Sequence, residues 1–400
     1  MTRRSPSVQK ILGYASSCLG LDRFLRCPGD GRVRPQIAAK DLVWVQMAGQ
    51  LLRIPSFHGV ERLVTSGAAR GLGVSEKFSE DSLAYFNERL NLQGPRLALA
   101  ATAKRAKRNK AFHGHRRIGL AIDGTGAGRC SAKTKVCGLC RPYHDADGQL
   151  LGHKHELAMV AVVGAGICLP LDVEAFGQGD SELPAGTRLL QRTREALGGR
   201  FADYVVADAK YGAAPFLNEV TRLGLHAVVR LKDNLPDLHG RAMARFNARQ
   251  PDQVIHYDDR EVELWDDDSF QPWEGLGWPS VRVLRYRHRS RKGEWIDAYW
   301  LTDYSTRAIS SEALFRLAKS RWEIENEGFN EAKNRHGMEH ICRHDENALL
   351  VGWLLLLLSL VIERLYRLCY LHRGSHPPLS AADLLTLLQL SLRPAIHDTS

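Results

Sequence analysis

Apolar and polar positions change rhythm along this chain, and the changes divide it. Up to residue 103, apolar residues recur at helical spacing in Pro35–Arg53 and Asp81–Leu90, with Gly/Ser clusters between them. This predicts a helical N-terminal module, 1–103, built for plain helix packing or for reading DNA. From residue 118 short continuous apolar runs take over: Ile118–Ile122, Leu157–Val163, Tyr204–Ala207 and Ala227–Leu231 read as strands. Between the last two, Ala214–Leu223 has Pro215 near its start and Gly224 just past its end, the punctuation of a helix. Strands alternating with helices predict an α/β core, its first part over 104–232.

The rhythm changes again over 233–305, where Glu261–Trp265, Val281–Tyr286 and Trp295–Thr302 read as strands of a β-rich insertion. Asp266–Asp268 reads as a solvated turn. Arg285, Arg287, Arg289 and Arg291 alternate and would share one strand face, as would Glu261 and Glu263, so the arginines have two readings, DNA contact or cross-strand ion pairing. Helical spacing resumes over 306–400. Ser311–His336 carries Leu314, Leu317, Ile324 and Phe329 toward a core, with Gly337 as a stop and Gly328 as an interruption. The apolar run Ala348–Ile362 is shorter than the roughly 18–20 residues of a spanning helix, which predicts a buried helix and no membrane partner.

Composition narrows the class. A chain of 400 residues that is 44% hydrophobic and 25% charged has room for a large core and is not disordered. Its formal charge of +10 favours a polyanionic partner, with nucleic acid the commonest. The densest basic stretch contains Lys104, Arg105, Lys107, Arg108, Lys110, Arg116 and Arg117; it reads as a solvated linker or a phosphate-contacting segment, and the overall charge favours the second. The N-terminus lacks the long apolar stretch of an export signal, so a cytoplasmic, nucleoid-associated location is expected, with the eight cysteines reduced. Cys130, Cys137 and Cys140, with His144, His153 and His155 nearby, form a candidate structural zinc site of Cys130, Cys137, Cys140 and His144, because C-x2-C is a ligand spacing that a loop can close.

Three acids stand out by position. Asp123 and Asp208 close apolar strands and Glu325 lies on a helix-patterned segment, RWEIENEGFNEAK. Phosphodiester hydrolysis and strand transfer need an activated oxygen nucleophile, a stabilised leaving oxygen and neutralisation of the phosphorus centre. Two divalent ions about 3.5–4 Å apart meet all three needs, and hard ions such as Mg²⁺ take oxygen ligands from rigidly held carboxylates.

The segment Arg321–Lys333 resembles the tyrosine–arginine–glutamate–lysine signature of DDE-class insertion-sequence transposases, the group typified by insertion sequence four. Arg321, Trp322, Ile324 and Glu325 match it, while Asp123 in AIDGTG and Asp208 in VVADAKYG match the family's two aspartates. The resemblance covers about 118–350 and implies a ribonuclease-H-like core with a β insertion. It implies Asp123, Asp208 and Glu325 as ligands of two Mg²⁺ (or Mn²⁺) ions, Arg321 and Lys333 at phosphates, and Trp322 stacked on an unpaired base, a core tryptophan being the other reading; Trp300, in the β-rich insertion, is a further stacking candidate outside the resemblance. It also implies double-stranded DNA, transposon ends and target, as partner, and a homodimer on that DNA. Two positions depart from the signature: Ala318 stands where the tyrosine belongs, and the lysine falls eight residues after Glu325, not seven. On a regular α-helix eight residues lie about 80° off the Glu325 face, against about 20° for seven.

Two other activities fit parts of this pattern. A ribonuclease-H-like nuclease that cuts without joining would use the same acids. AIDGTGAG also resembles the phosphate loop of actin-like phosphotransferases, which leaves the arginine–tryptophan helix unexplained.

Overall fold

The structure, a computed structural model, describes residues 6–74, 76–290, 292–372 and 378–392. Arg291 and the polar tail beyond residue 392 lie outside the described residues. Helices α1 (Val8–Leu19), α2 (Asp22–Arg26), α3 (Ala39–Leu51), α4 (Phe57–Thr65), α5 (Glu80–Asn87) and α6 (Gln93–Arg108) come first. Their inward residues, among them Leu42, Val43, Val45, Leu83, Phe86 and Leu99, are fully buried. Much of that burial is against the C-terminal α13 (Glu346–Leu365), which packs on α3, α5 and α6. The helix continues as a π segment to Leu371, and by length and composition it is apolar enough to cross a membrane; 89% of its most apolar window is nevertheless buried inside the protein. A helix apolar on all sides is what the centre of a large core requires.

The described strands form one ten-stranded sheet. In chain order they are β1 (Gly119–Ser131), β2 (Arg141–His144), β3 (Leu150–Val163), β4 (Leu169–Ala175), β5 (Tyr204–Ala207), β6 (His226–Leu231), β7 (Gln253–Tyr257), β8 (Arg260–Phe270), β9 (Val281–Arg289) and β10 (Trp295–Thr302). β3 runs antiparallel to β1 on one edge and shares its other edge between β2 and β4. On the far side of β1, β5 and then β6 run parallel to it. The connections are helical, as parallel pairing requires: α7 (Glu182–Leu197) between β4 and β5, and α8 (Ala214–Arg222) between β5 and β6.

The segment read as a separate β-rich insertion begins with a helix, α9 (Pro236–Asn247), and its strands extend the same sheet. β10 pairs antiparallel with β6, followed outward by β9, β8 and β7. Without β10, the edge of β6 would present unpaired backbone groups. Asp266–Asp268 is strand in β8, not a turn, with a register shift between Asp267 and Phe270. Asp266 is held there by the buried Arg282 guanidinium, whose Nε lies 2.7 Å from it.

After β10 come α10 (Ser311–Lys319), α11 (Arg321–Glu323), a π-helical segment Ile324–Phe329 and α12 (Asn330–Asn334). Ser310 caps α10 by accepting from the Ala313 amide. The axis breaks at Ser320, whose hydroxyl donates to Leu317 O (2.6 Å) and meets the buried Tyr204 phenol at 2.9 Å. α14 (Ala381–Leu390) closes the described chain.

Candidate metal centre

β1 and β5 pair in parallel only as far as Ile122 opposite Ala207. The next residue on each strand is an aspartate, so Asp123 and Asp208 stand side by side where the pairing stops. Asp208 then turns the chain, its carboxylate accepting from the Lys210 amide at 2.9 Å. Asp123 does not close its strand as its sequence suggests: β1 continues to Ser131 along β3, past a bulge between Gly126 and Arg129.

A third carboxylate joins the two aspartates. Glu182, the first residue of α7, places its carboxylate so that ligand oxygens of Asp123, Glu182 and Asp208 all lie within 4.8 Å of one another. Gly124 makes this approach possible, because a Cβ there would lie 2.2 Å from the Glu182 carboxyl carbon. Lys210 Nζ holds Glu182 at 2.7 Å. Sequence reasoning missed Glu182; its only signal, an acid in a first helical turn after a serine, is shared with ordinary helix starts.

Glu325 reaches the group through Arg321. The guanidinium donates to Asp123 Oδ2 at 3.0 Å and to Glu325 Oε1 at 2.7 Å, so it ties the helix to the strand and is more than an i,i+4 ion pair. The two neighbouring acids of the segment have other partners. Glu323 is half-buried and accepts from the Gly164 amide (3.0 Å), and Glu327 lies 3.6 Å from the Arg364 guanidinium. Burial, with the nearby Glu327 charge, pushes the Glu323 carboxyl up to about 7.

The electrostatics of the centre are those of a cation site. Burial pushes the Asp123 carboxyl up to about 7; Arg321 opposes that shift, and the Asp208 and Glu325 charges add to it. The buried Tyr211 phenol beside them keeps its proton for the same reasons, burial first and then Glu182, Asp123 and Asp208. Four carboxylates face two cations, Arg321 and Lys210. Hard oxygen donors at this spacing, with negative charge left over, fit a divalent cation of the Mg²⁺ or Mn²⁺ kind.

The π segment bears on Lys333. A π turn takes in one residue more than an α turn, so an eight-residue step across it runs about as far round the axis as seven residues of regular α-helix. The offset that separates Lys333 from Glu325 in sequence is thereby absorbed. Its ammonium lies 3.4 Å from Glu339. Ala318, at the tyrosine position, is fully buried.

Other sequence candidates are distributed differently. Trp322 is half-buried, edge-on to Trp300 at 5.9 Å, with the Lys319 ammonium 4.4 Å from its ring centre. Trp300 is fully buried in the core and has no face to offer a base. Lys104 donates to Ala196 O, Lys107 to Arg200 O and Phe201 O, and Arg117 to Ala308 O, so these three fasten the end of α6 and the following turn to the core. Arg105, Arg108 and Arg116 are exposed. Of the alternating arginines, Arg285 pairs with Asp297 and Arg287 with Glu263, which is the cross-strand pairing; Arg289 is exposed, 4.9 Å from the Trp295 ring centre. His144 is exposed on β2 and joins neither thiol group; the histidines at the cysteines are His155 and His344.

Fold and site together define a protein with a cluster of carboxylates at the ends of two parallel strands. The chain belongs to the family described as the transposase DDE domain, whose model matches residues 114–362 and so takes in every acid of the centre. Among solved structures, it is similar to a piggyBac transposase in a cryo-EM synaptic complex with hairpin DNA, at 10% identity and a TM-score of 0.43, over 96% of this chain and 77% of that one. No curated protein matches the sequence.

Proposed function

We propose that this chain is a DNA transposase of the insertion-sequence-four-like group that cleaves transposon-end DNA and joins the freed end to a target. Family membership supports the class. The strand arrangement, with β4, β3 and β1 antiparallel and then β5 and β6 parallel to β1, supports a ribonuclease-H-like core. The observation that carries the reading is the convergence of Asp123 and Asp208 at one strand-pair end, with Glu325 tied to Asp123 through Arg321.

Asp123, Asp208 and Glu325 would hold two Mg²⁺ or Mn²⁺ ions, with Glu182 as a further oxygen donor; bound there, the ions supply Lewis-acid activation of water and of a 3′-hydroxyl. Arg321 is the positioning residue: it holds the helix-borne carboxylate beside the strand-borne one and offsets part of their repulsion. Lys333 contacts a phosphate from the helix, and Trp322 presents its partly open ring to an unpaired base. The exposed Arg105, Arg108 and Arg116 follow the DNA backbone, while Lys104 and Lys107 hold the end of α6 that presents them. Pairing of two ends makes the working form a dimer on DNA.

The test is cleavage of end-containing duplex with Mg²⁺. Cleavage disappears in Asp123→Ala, Asp208→Ala and Glu325→Ala while DNA binding persists, and unchanged activity in any of them removes that residue from the site. Cutting without joining to a second duplex would reassign the chain as a nuclease, and ATP turnover without DNA as a phosphotransferase.

A further inference from the structure

A second metal-binding chemistry lies apart from the carboxylates, where the loop between β1 and β2 meets the start of α13. Cys137 and Cys140 sit in that loop, with Sγ atoms 3.6 Å apart and not bonded to each other. His155, fully buried on β3, points Nε2 at both thiols, 3.9 Å from Cys137 and 3.3 Å from Cys140. His344, next to the Asp345 cap of α13, brings Nδ1 to 3.9 Å from Cys140. With Zn–S near 2.3 Å and Zn–N near 2.0–2.1 Å, a tetrahedron has edges of about 3.8 Å between sulfurs and about 3.5 Å between sulfur and nitrogen. These four separations fall around those lengths; Cys137, Cys140 and His155 lie mutually within 4.8 Å, and His344 joins them through Cys140, so the His344 side of the tetrahedron closes on the metal.

We propose that Cys137, Cys140, His155 and His344 hold a structural Zn²⁺ ion. Thiolate and imidazole donors select zinc over the hard ions suited to the carboxylate centre, so the two sites do not compete for one metal. Two thiolates and two neutral imidazoles balance the charge of Zn²⁺ completely, which a largely buried site favours. Cys130 also lies within 4.8 Å of Cys140 and His344, and three-thiolate zinc sites exist, so the Cys130→Ser variant is what distinguishes the neutral set from one that includes Cys130. The loop is already held in place from the α13 side, since the Gly138 amide donates to Glu346 Oε1 at 3.0 Å, and a Cβ on Gly138 would lie 2.2 Å from that oxygen. The ion therefore ties the loop that follows β1, the strand bearing Asp123, to the segment joining the Glu325 helix to α13.

The test reads metal content of the full chain without DNA, so its outcome is independent of the reading of the acidic centre. Wild-type and Cys130→Ser protein should each carry about one zinc per chain. Cys140→Ser, His155→Ala and His344→Ala should fall below about a tenth of that content. To separate loss of ligand from loss of fold, wild-type chain stripped by chelator is titrated with Co²⁺, and a thiolate-to-cobalt charge-transfer band should rise to one equivalent. Wild-type protein without stoichiometric zinc and without that band overturns the proposal. So does a metal that survives His344→Ala but not Cys130→Ser, or a Cys137–Cys140 disulfide whose reduction restores no zinc uptake.

Discussion

In the β7–β10 half of the sheet, four acids have guanidinium partners: Asp266 meets Arg282, Asp267 meets Arg245, Asp297 meets Arg285 and Glu263 meets Arg287. The β1–β5 half gathers Asp123, Glu182, Asp208 and Glu325 around two cations among the described residues, Arg321 and Lys210. Both halves bury carboxylates, and burying an unpaired one is expensive. Where an acid has a guanidinium to itself, the pair fastens its strand in place. Where acids exceed cations, the deficit is repaired by something outside the chain, and that excess separates a site from a scaffold.

The comparison breaks most visibly if the surplus acids are removed. Asp123→Ala, Asp208→Ala or Glu325→Ala should each cut end cleavage at least about a thousandfold, the equivalent of roughly 4 kcal/mol of lost transition-state stabilisation, with melting temperature held or raised. Gel-based cleavage rates beside thermal melts check both halves of that statement. In the matched half the sign reverses. Arg282→Met strands the buried Asp266 charge and should cost about 3–5 kcal/mol in denaturant unfolding while leaving the carboxylate cluster in place.

Glu182→Gln sharpens the contrast within the acidic half. It keeps the shape over Gly124 but removes a donor, so Mn²⁺ affinity measured by titration should fall about 10–100-fold, the range for losing a supporting ligand contact. An unchanged affinity would assign Glu182 to Lys210 alone.

A smaller effect comes from His336, buried between Arg53 and Glu363 with Nδ1 accepting from the Arg53 guanidinium at 3.3 Å. Burial first, then the Arg53, Arg364 and Arg335 charges, hold its pKa well below the ordinary value of 6.5. In the window between the two values the unfolded chain binds a proton that the folded chain refuses. Stability should therefore fall as pH drops below about 6.5, by up to about 1.4 kcal/mol per pH unit, and His336→Gln should flatten that slope in urea melts at pH 5–7. Smallest is the partly exposed Arg287–Glu263 pair, for which a double-mutant cycle should return under about 1 kcal/mol.

Much of this was legible in the sequence because the signals are local. Runs such as Ile118–Ile122 and Tyr204–Ala207 are apolar at every position because their strands are buried on both faces, and the two aspartates that follow them fall side by side once the register is known. Glu325 stood out among four acids in its segment only through the arginine and tryptophan before it, and its partnership with Asp123 through Arg321 is a tertiary fact. Glu182 was illegible because nothing local separates a ligand at a helix start from an acid that favours the helix dipole. The Arg285–Arg289 row and the Lys104–Arg117 stretch were ambiguous because charge alone does not say whether the partner is a phosphate, a carboxylate or a carbonyl. The π segment could not be read either, although Gly328 marks it and its extra residue restores Lys333 to the face that seven-residue spacing would give.

The central claim, that acids from β1, the end of β5 and the helix after Ser320 form a single cation centre, is tested most directly by Mn²⁺ binding to the full chain on an end-containing duplex. Paramagnetic resonance should find wild-type protein holding the ion, and Asp123→Asn, Asp208→Asn and Glu325→Gln each losing it while the duplex stays bound. Wild-type Mn²⁺ occupancy in any one of those three variants would contradict the account.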